Sequence, residues 1–131
     1  MSALETVQAI YAAYGQGDVQ GALDRCSENV RFRWPVDEGL SRLSGEREGK
    51  AAFLERLGEL QATFEYHSFQ PIALIADGDR VAAQIRMEMT HRRSGRRIVI
   101  ENAHFWTVQD GRAIELVEYF DSAAVAASEA G

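Results

Sequence analysis

The chain is short of cysteine, of basic charge and of uninterrupted apolar sequence. Its one cysteine, Cys26, excludes an intrachain disulfide and any zinc site built on several cysteines. No segment approaches the ~18–20 consecutive apolar residues a membrane helix needs. The N-terminus lacks a basic stretch followed by an apolar core, so no secretory signal is expected. No two of His67, His91 and His104 have metal-ligand spacing, so no metal is expected. Gly-rich phosphate loops and nucleophile elbows are missing as well. Lys and Arg total 14 against 20 Asp and Glu, a net charge of −6. Such a balance disfavours nucleic acid, whose binding needs basic surface to displace counterions. The expectation is a soluble cytoplasmic protein without membrane or nucleic-acid partners.

What remains is ordinary globular material: 131 residues, 46% hydrophobic and 26% charged. That length fits one domain over residues 1–131, able to bury about two thirds of its unfolded surface. Ser2 and Glu5 have capping-box spacing, and Leu4, Val7, Ile10, Tyr11 and Tyr14 then recur on one helical face. Gly15 and Gly17 stop that helix, and Asp18 caps a second one carrying Val19, Ala22, Leu23 and Cys26. Val30, Phe32 and Trp34 alternate with Arg31 and Arg33 as a strand that Pro35 ends. A loop to Ser44 follows, then a third helix from Gly45 to about Leu60. Strands are expected over about 62–76, 80–91, 97–108 and 112–121. The Ala-rich stretch from Ser122 is either a short last helix or a frayed end. Helices first and hairpins after predict an α+β fold, with helices covering one face of an antiparallel sheet.

Turn length decides which strand residues share a face. Gly95 and Gly111 stand where three-residue loops want a glycine, in Arg93-Ser94-Gly95 and Gln109-Asp110-Gly111. Those loops put Arg86, Asn102 and Glu118 in one row, with Glu88 and His104 a step to either side, all facing the helices. A polar cluster there needs pairing, which Arg86 between two carboxylates would give. The stripe Val81, Ala83, Ile85, Met87 and Met89 then faces outward, where it needs a partner such as a twin subunit. The opposite register remains open: the stripe in the core, Arg86 and Glu88 in water.

Several pieces, in order, resemble the nuclear-transport-factor-2-like superfamily. They are Ile10-Tyr11-Ala12-Ala13-Tyr14 with Gly17-Asp18, Glu28-Asn29-Val30 before Trp34-Pro35, Ser44-Gly45, Gly78-Asp79-Arg80-Val81, Ser94-Gly95-Arg96, Asp110-Gly111-Arg112 and Glu118-Tyr119-Phe120-Asp121. The resemblance covers nearly the whole chain and lies toward the SnoaL-like, ketosteroid isomerase-like and limonene-epoxide hydrolase-like branch. It implies a curved antiparallel sheet forming a cone, with three N-terminal helices on its concave face. It also implies a small apolar or polycyclic ligand in the cone and a homodimer through the outer sheet face. The ketosteroid isomerase base and helix tyrosine correspond to Trp34 and Ile10 here, so that chemistry is not expected in that form. The epoxide hydrolase pair of carboxylates with arginine corresponds to Glu118, Glu88 and Arg86, while its water-holding Tyr and Asn correspond to Phe32 and Trp34.

The expected catalytic set is therefore Glu118, Arg86, Glu88, His104 and Asn102. It would serve a cofactor-independent isomerase, cyclase or epoxide hydrolase, with Glu118 or His104 as acid/base. Tyr14, Phe32, Trp34, Phe53, Trp106 and Phe120 are expected in the core; they and Ile100 supply the ligand-cavity lining. His67 and His91 are expected at the surface. Arg92, Arg93, Arg96 and Arg97 are expected to form a solvated hairpin tip. The alternative to an enzyme is a noncatalytic ligand-binding or dimeric assembly module. An empty pocket of roughly a few hundred Å³ touching Glu118 would favour catalysis, and a closed dry core the module.

Overall fold

The structure, a computed structural model, describes residues 1–36 and 44–130. The capping box forms as the sequence predicts: Glu5 N–H donates to the Ser2 hydroxyl and Ser2 N–H to the Glu5 carboxylate, starting helix α1 (Ala3–Gly15). Asp18 caps the short α2 (Val19–Leu23) through Gly21 N–H. Strand β1 (Cys26–Trp34) buries Val30, Phe32 and Trp34 on its inner side. Most of the loop expected between Pro35 and Ser44 lies outside the described residues.

Gly45 does not open a helix. Gly45–Glu48 is a strand, β2, antiparallel to β1, and α3 follows as Lys50–Thr63. Four charged or glycine residues in a row hide a strand from periodicity, because an edge strand needs backbone pairing more than apolar side chains. Strands β3 (Phe64–Asp77), β4 (Arg80–His91), β5 (Arg97–Gln109) and β6 (Arg112–Tyr119) complete a six-stranded sheet in the order β2-β1-β6-β5-β4-β3. β1 runs parallel to β6 and the other pairs are antiparallel. His67 and Ile72 are extra residues in β3, and such bulges bend and twist a strand. The sheet curls without closing into the cone the resemblance implied, with α1, α2 and α3 against its concave face.

Both late hairpins depart from the expected loops. Gln109 pairs with Arg112 across a two-residue turn in which Asp110 (φ 51°) and Gly111 (φ 74°) are both left-handed. Ile114 then bulges out of β6, which restores the apolar sorting: Trp106 faces Leu116, and His104 faces Glu118. At the other tip four residues, Arg92 to Gly95, separate His91 from Arg96, whose carbonyl accepts from His91 N–H at 2.8 Å. One residue more than expected flips all of β4. Val81, Ala83, Ile85, Met87 and Met89 are buried under the helices, and the expectation that they face a twin subunit is corrected. Arg86 and Glu88, with side chains 39% and 27% exposed, lie on the outer face, paired with each other at 3.3 Å.

The arginine tip is not merely solvated. Arg92 Nε donates to the Gln61 carbonyl at the end of α3 (2.9 Å). Arg93 donates to the Glu129 carbonyl, and Arg96 to Ala127 O at 3.0 Å, at the end of α4 (Ser122–Glu129). Ser94 Oγ adds a bond to Ser128 O. Cations thus meet carbonyls at the negative ends of two helices. The Ala-rich tail is a helix because Asp121 caps it through Ala124 N–H and this hairpin holds its other end. His91, expected outside, is buried; its Nδ1 accepts from Ser94 N–H, and its ring meets Phe64 edge-on.

Candidate active site in the concave face

The inward residues of β5 and β6 and the inner faces of α1 and α3 enclose a cavity of about 90 Å³. Tyr14, Trp34, Phe53, Ile100, Trp106 and Phe120 line it. Phe32 does not; it is fully buried behind the wall, stacked on Phe53 at 4.7 Å. The volume is below the ~300–1,000 Å³ of ordinary ligand pockets and well above the ~10–15 Å³ needed to hold one water. It meets neither the open-pocket nor the closed-core expectation. A wider groove of about 350 Å³ shares Tyr14, Phe64, Tyr66 and Phe69 with it. These four aromatics form a common wall, in which the Tyr14 and Tyr66 hydroxyls meet at 3.5 Å.

The polar atoms of the cavity converge on Glu118. Asn102 Nδ2 donates to Glu118 Oε2 at 3.0 Å, and His104 Nε2 lies 3.3 Å from Oε1. The Asn102 amide therefore stands with its nitrogen toward the carboxylate. That leaves Asn102 Oδ1 buried without a hydrogen bond, and His104 Nε2 is close to the carboxylate without being aligned for one. Asn102 and His104 are 4% and 5% exposed. Buried polar atoms without partners are uncommon in folded proteins and mark a place where another molecule can supply them.

Three of the five predicted catalytic residues, Glu118, His104 and Asn102, therefore come together. Arg86 and Glu88 do not; the sheet stands between them and the cavity. The arginine bridge between two carboxylates, read from a shared face for β4 and β6, is not formed. Glu88 pairs instead with Arg86 and, at 3.6 Å, with Arg97.

Among the cavity residues that escaped the sequence reading, Tyr11 and Arg56 carry the polar chemistry. Tyr11 looked like one more apolar position on α1, yet its hydroxyl lies 2.8 Å from His104 Nδ1 and accepts from Trp106 Nε1–H at 2.8 Å. Burial raises its pKa well above the usual tyrosine range, so it stays protonated; burial raises those of Tyr14 and Tyr66 as well. Arg56 on α3 is 1% exposed and also lines the cavity. Its guanidinium lies 4.7 Å over the Trp34 ring, and its Nε is 3.2 Å from Glu59 Oε2. Burial, then the Arg47 charge, lower its pKa. A charged residue on a helix reads as surface from sequence, and here it turns inward over the Trp34 ring of β1.

Apolar walls, one carboxylate and a ring of fixed donors and acceptors suit a small, mostly apolar molecule bearing a few polar atoms. Among the described residues no helix is long and apolar enough to cross a membrane. No curated protein matches the chain. Among solved structures, an NTF2-like protein of unknown function from Burkholderia pseudomallei is 23% identical with TM-score 0.89, each chain covered in full at 100%. TerC, co-crystallised with polyporic acid, is 26% identical with TM-score 0.85, over 96% of both chains. A Mesorhizobium loti protein provisionally named a SnoaL-like polyketide cyclase is 20% identical with TM-score 0.78, over 91% of this chain and 99% of that one. The sequence profile of the SnoaL-like domain matches residues 7–116. The chain belongs to the SnoaL-like domain family.

Proposed function

We propose that this protein is a cofactor-independent isomerase or cyclase that moves a proton on a small, mostly apolar molecule, with Glu118 as the acid/base. The observation that carries the reading is the Glu118 carboxylate in an aromatic cavity, held by Asn102 at 3.0 Å and faced by His104 at 3.3 Å. General acid–base catalysis needs a titratable group within hydrogen-bond reach of a bound carbon acid. Unpartnered atoms on Asn102 and His104 would orient that molecule. The SnoaL-like relationship and the polyketide-cyclase name of one structural relative support the class, as does polyporic acid beside TerC for the kind of ligand. Epoxide hydrolysis through Glu118, Arg86 and Glu88 is disfavoured, because the last two lie on the other face.

The noncatalytic module has one specific point in its favour, the small cavity of about 90 Å³. Outward-facing Val99, Phe105 and Tyr119 are exposed, and the rings of the last two touch. The Phe105–Tyr119 pair, distinct from the methionine stripe, supports a homodimer through the outer sheet face. Sedimentation of wild type and Phe105→Glu tests that pairing.

The functional test is deuterium exchange at enolisable carbons of a panel of aromatic ketones and polyketide-like esters in D₂O, followed by proton NMR. Native mass spectrometry on the same preparation looks for a copurified ligand. Glu118→Gln should lower exchange by about 10²–10⁴-fold while leaving ligand retention intact. Exchange equal in wild type and variant, or a ligand retained by a protein that exchanges nothing, would turn the reading to the binding module.

A further inference from the structure

Tyr11, His104 and Trp106 form a hydrogen-bonded line across the cavity wall, from α1 to two positions on β5. The indole Nε1–H of Trp106 is a donor only, so the Tyr11 oxygen accepts from it. The Tyr11 hydroxyl carries one proton, and burial keeps that proton on. The nitrogen 2.8 Å from it, His104 Nδ1, is placed to accept it. If Nδ1 carried the imidazole proton instead, it and the indole would both donate to Tyr11, and the buried phenolic proton would be stranded. The far side of the ring agrees. Nε2 lies 3.3 Å from Glu118 Oε1, and a carboxylate oxygen facing a bare nitrogen lone pair is repelled, whereas one facing an N–H is attracted. Two contacts, one on each ring nitrogen, select the same tautomer.

We propose that Tyr11 is a positioning residue that, with Trp106 behind it, holds the proton of neutral His104 on Nε2, so that His104 meets the cavity as a hydrogen-bond donor and never as the base. Acid and base work then falls to Glu118 alone. This consequence rests on the isomerase or cyclase reading; the proton position does not. In a proton transfer, the Glu118 carboxylate takes a proton from carbon. The carbon–hydrogen electron pair moves toward the adjacent carbonyl, whose oxygen gains charge beside the His104 Nε2–H. Protonated Glu118 returns the proton to a second carbon, and nothing is oxidised or reduced. The ligand class narrows accordingly: a carbonyl compound whose oxygen lies within reach of Nε2 and whose acidic carbon faces Glu118.

Long-range ¹H–¹⁵N correlation NMR of His104 in the uniformly labelled full chain reads the tautomer directly and needs no substrate. The expected wild-type spectrum shows Nδ1 as the unprotonated nitrogen and Nε2 as the protonated one. In Tyr11→Phe, with the donor to Nδ1 gone, both nitrogens should move toward the averaged values of a mixed population. A proton on Nδ1 in the wild type overturns the proposal even if the variant does not fold. A folded variant with an unchanged His104 signature overturns it too, since Tyr11 would then only fill space. An Nε2–H tautomer in a protein that exchanges no carbon acid leaves the positioning role standing and removes the enzymatic reading. Glu118-dependent exchange with an Nδ1–H tautomer does the reverse.

Discussion

The Nδ2 of Asn102 sits 3.2 Å from the sulfur of Met87 on the neighbouring strand. The methionine stripe and the polar centre therefore occupy the same concave surface, and one amide touches both the stripe and Glu118. Asn102→Asp would place a second acidic group about where an amide now donates. Burial and the neighbouring carboxylate would hold its folded pKa above the unfolded ~3.9. The unfolded chain then ionises it first, so stability falls as pH rises through and above that value. Unfolding free energies from urea denaturation at pH 4 and 7 should differ by about 1–3 kcal/mol more in the variant than in the wild type. Parallel curves would mean the pair is not in contact in solution.

The facing of β4 can be tested on adjacent residues. Ile85→Ala should cost about 2–5 kcal/mol, as the loss of a fully buried side chain does. Arg86→Ala should stay within about 0.5 kcal/mol, since its partner Glu88 is itself partly exposed. Chemical denaturation that ranked these two the other way round would return β4 to the opposite register.

Stability at alkaline pH should fall early. Burial pushes the Cys26 thiol up to about 11 from an ordinary 9.0, and raises Tyr11, Tyr14 and Tyr66. Between pH 9 and 11 the unfolded chain has lost the thiol proton and the folded chain has kept it. The unfolded state therefore binds fewer protons, and the folding free energy drops as pH rises, by up to about 2–3 kcal/mol from this group. Urea midpoints measured from pH 8 to 11 should decline less steeply in Cys26→Ala. Equal slopes would show the thiol exposed.

The hairpin arginines should matter to the last helix rather than to the site. Arg96→Ala removes the bond to Ala127 O, with an expected loss of about 0.3–1 kcal/mol, the value of a cation at a helix end. Hydrogen exchange should quicken in Ser122–Glu129 while β5 amides keep their protection. Because Val125 of that helix lines the cavity, a double change with Arg93→Ala should also loosen any bound ligand. Unchanged exchange in α4 would show that the arginines touch it without holding it.

Local signals carried much of the architecture. Ser2-Glu5 and Asp18 mark helix starts because a side chain within three residues satisfies the free N–H groups. The alternation of Ile100, Asn102, His104 and Trp106 with outward neighbours placed two of the polar candidates, Asn102 and His104, on the concave face. That much needs only a period of two. The unbroken stripe from Val81 to Met89 was a truer guide to β4 than the glycine spacing of the turns.

What the chain alone could not decide was how many residues each turn holds and what meets a side chain from elsewhere. The Arg92–Gly95 loop takes four residues while its arginines bond the ends of α3 and α4, contacts made across 31 and more residues of sequence. One residue in that loop reverses a whole strand. The Ile114 bulge, the inward Arg56 over Trp34 and the Tyr11–His104 bond likewise depend on partners brought together only when helices close over the curled sheet. Periodicity describes a segment against water; facing and pairing are properties of segments against each other.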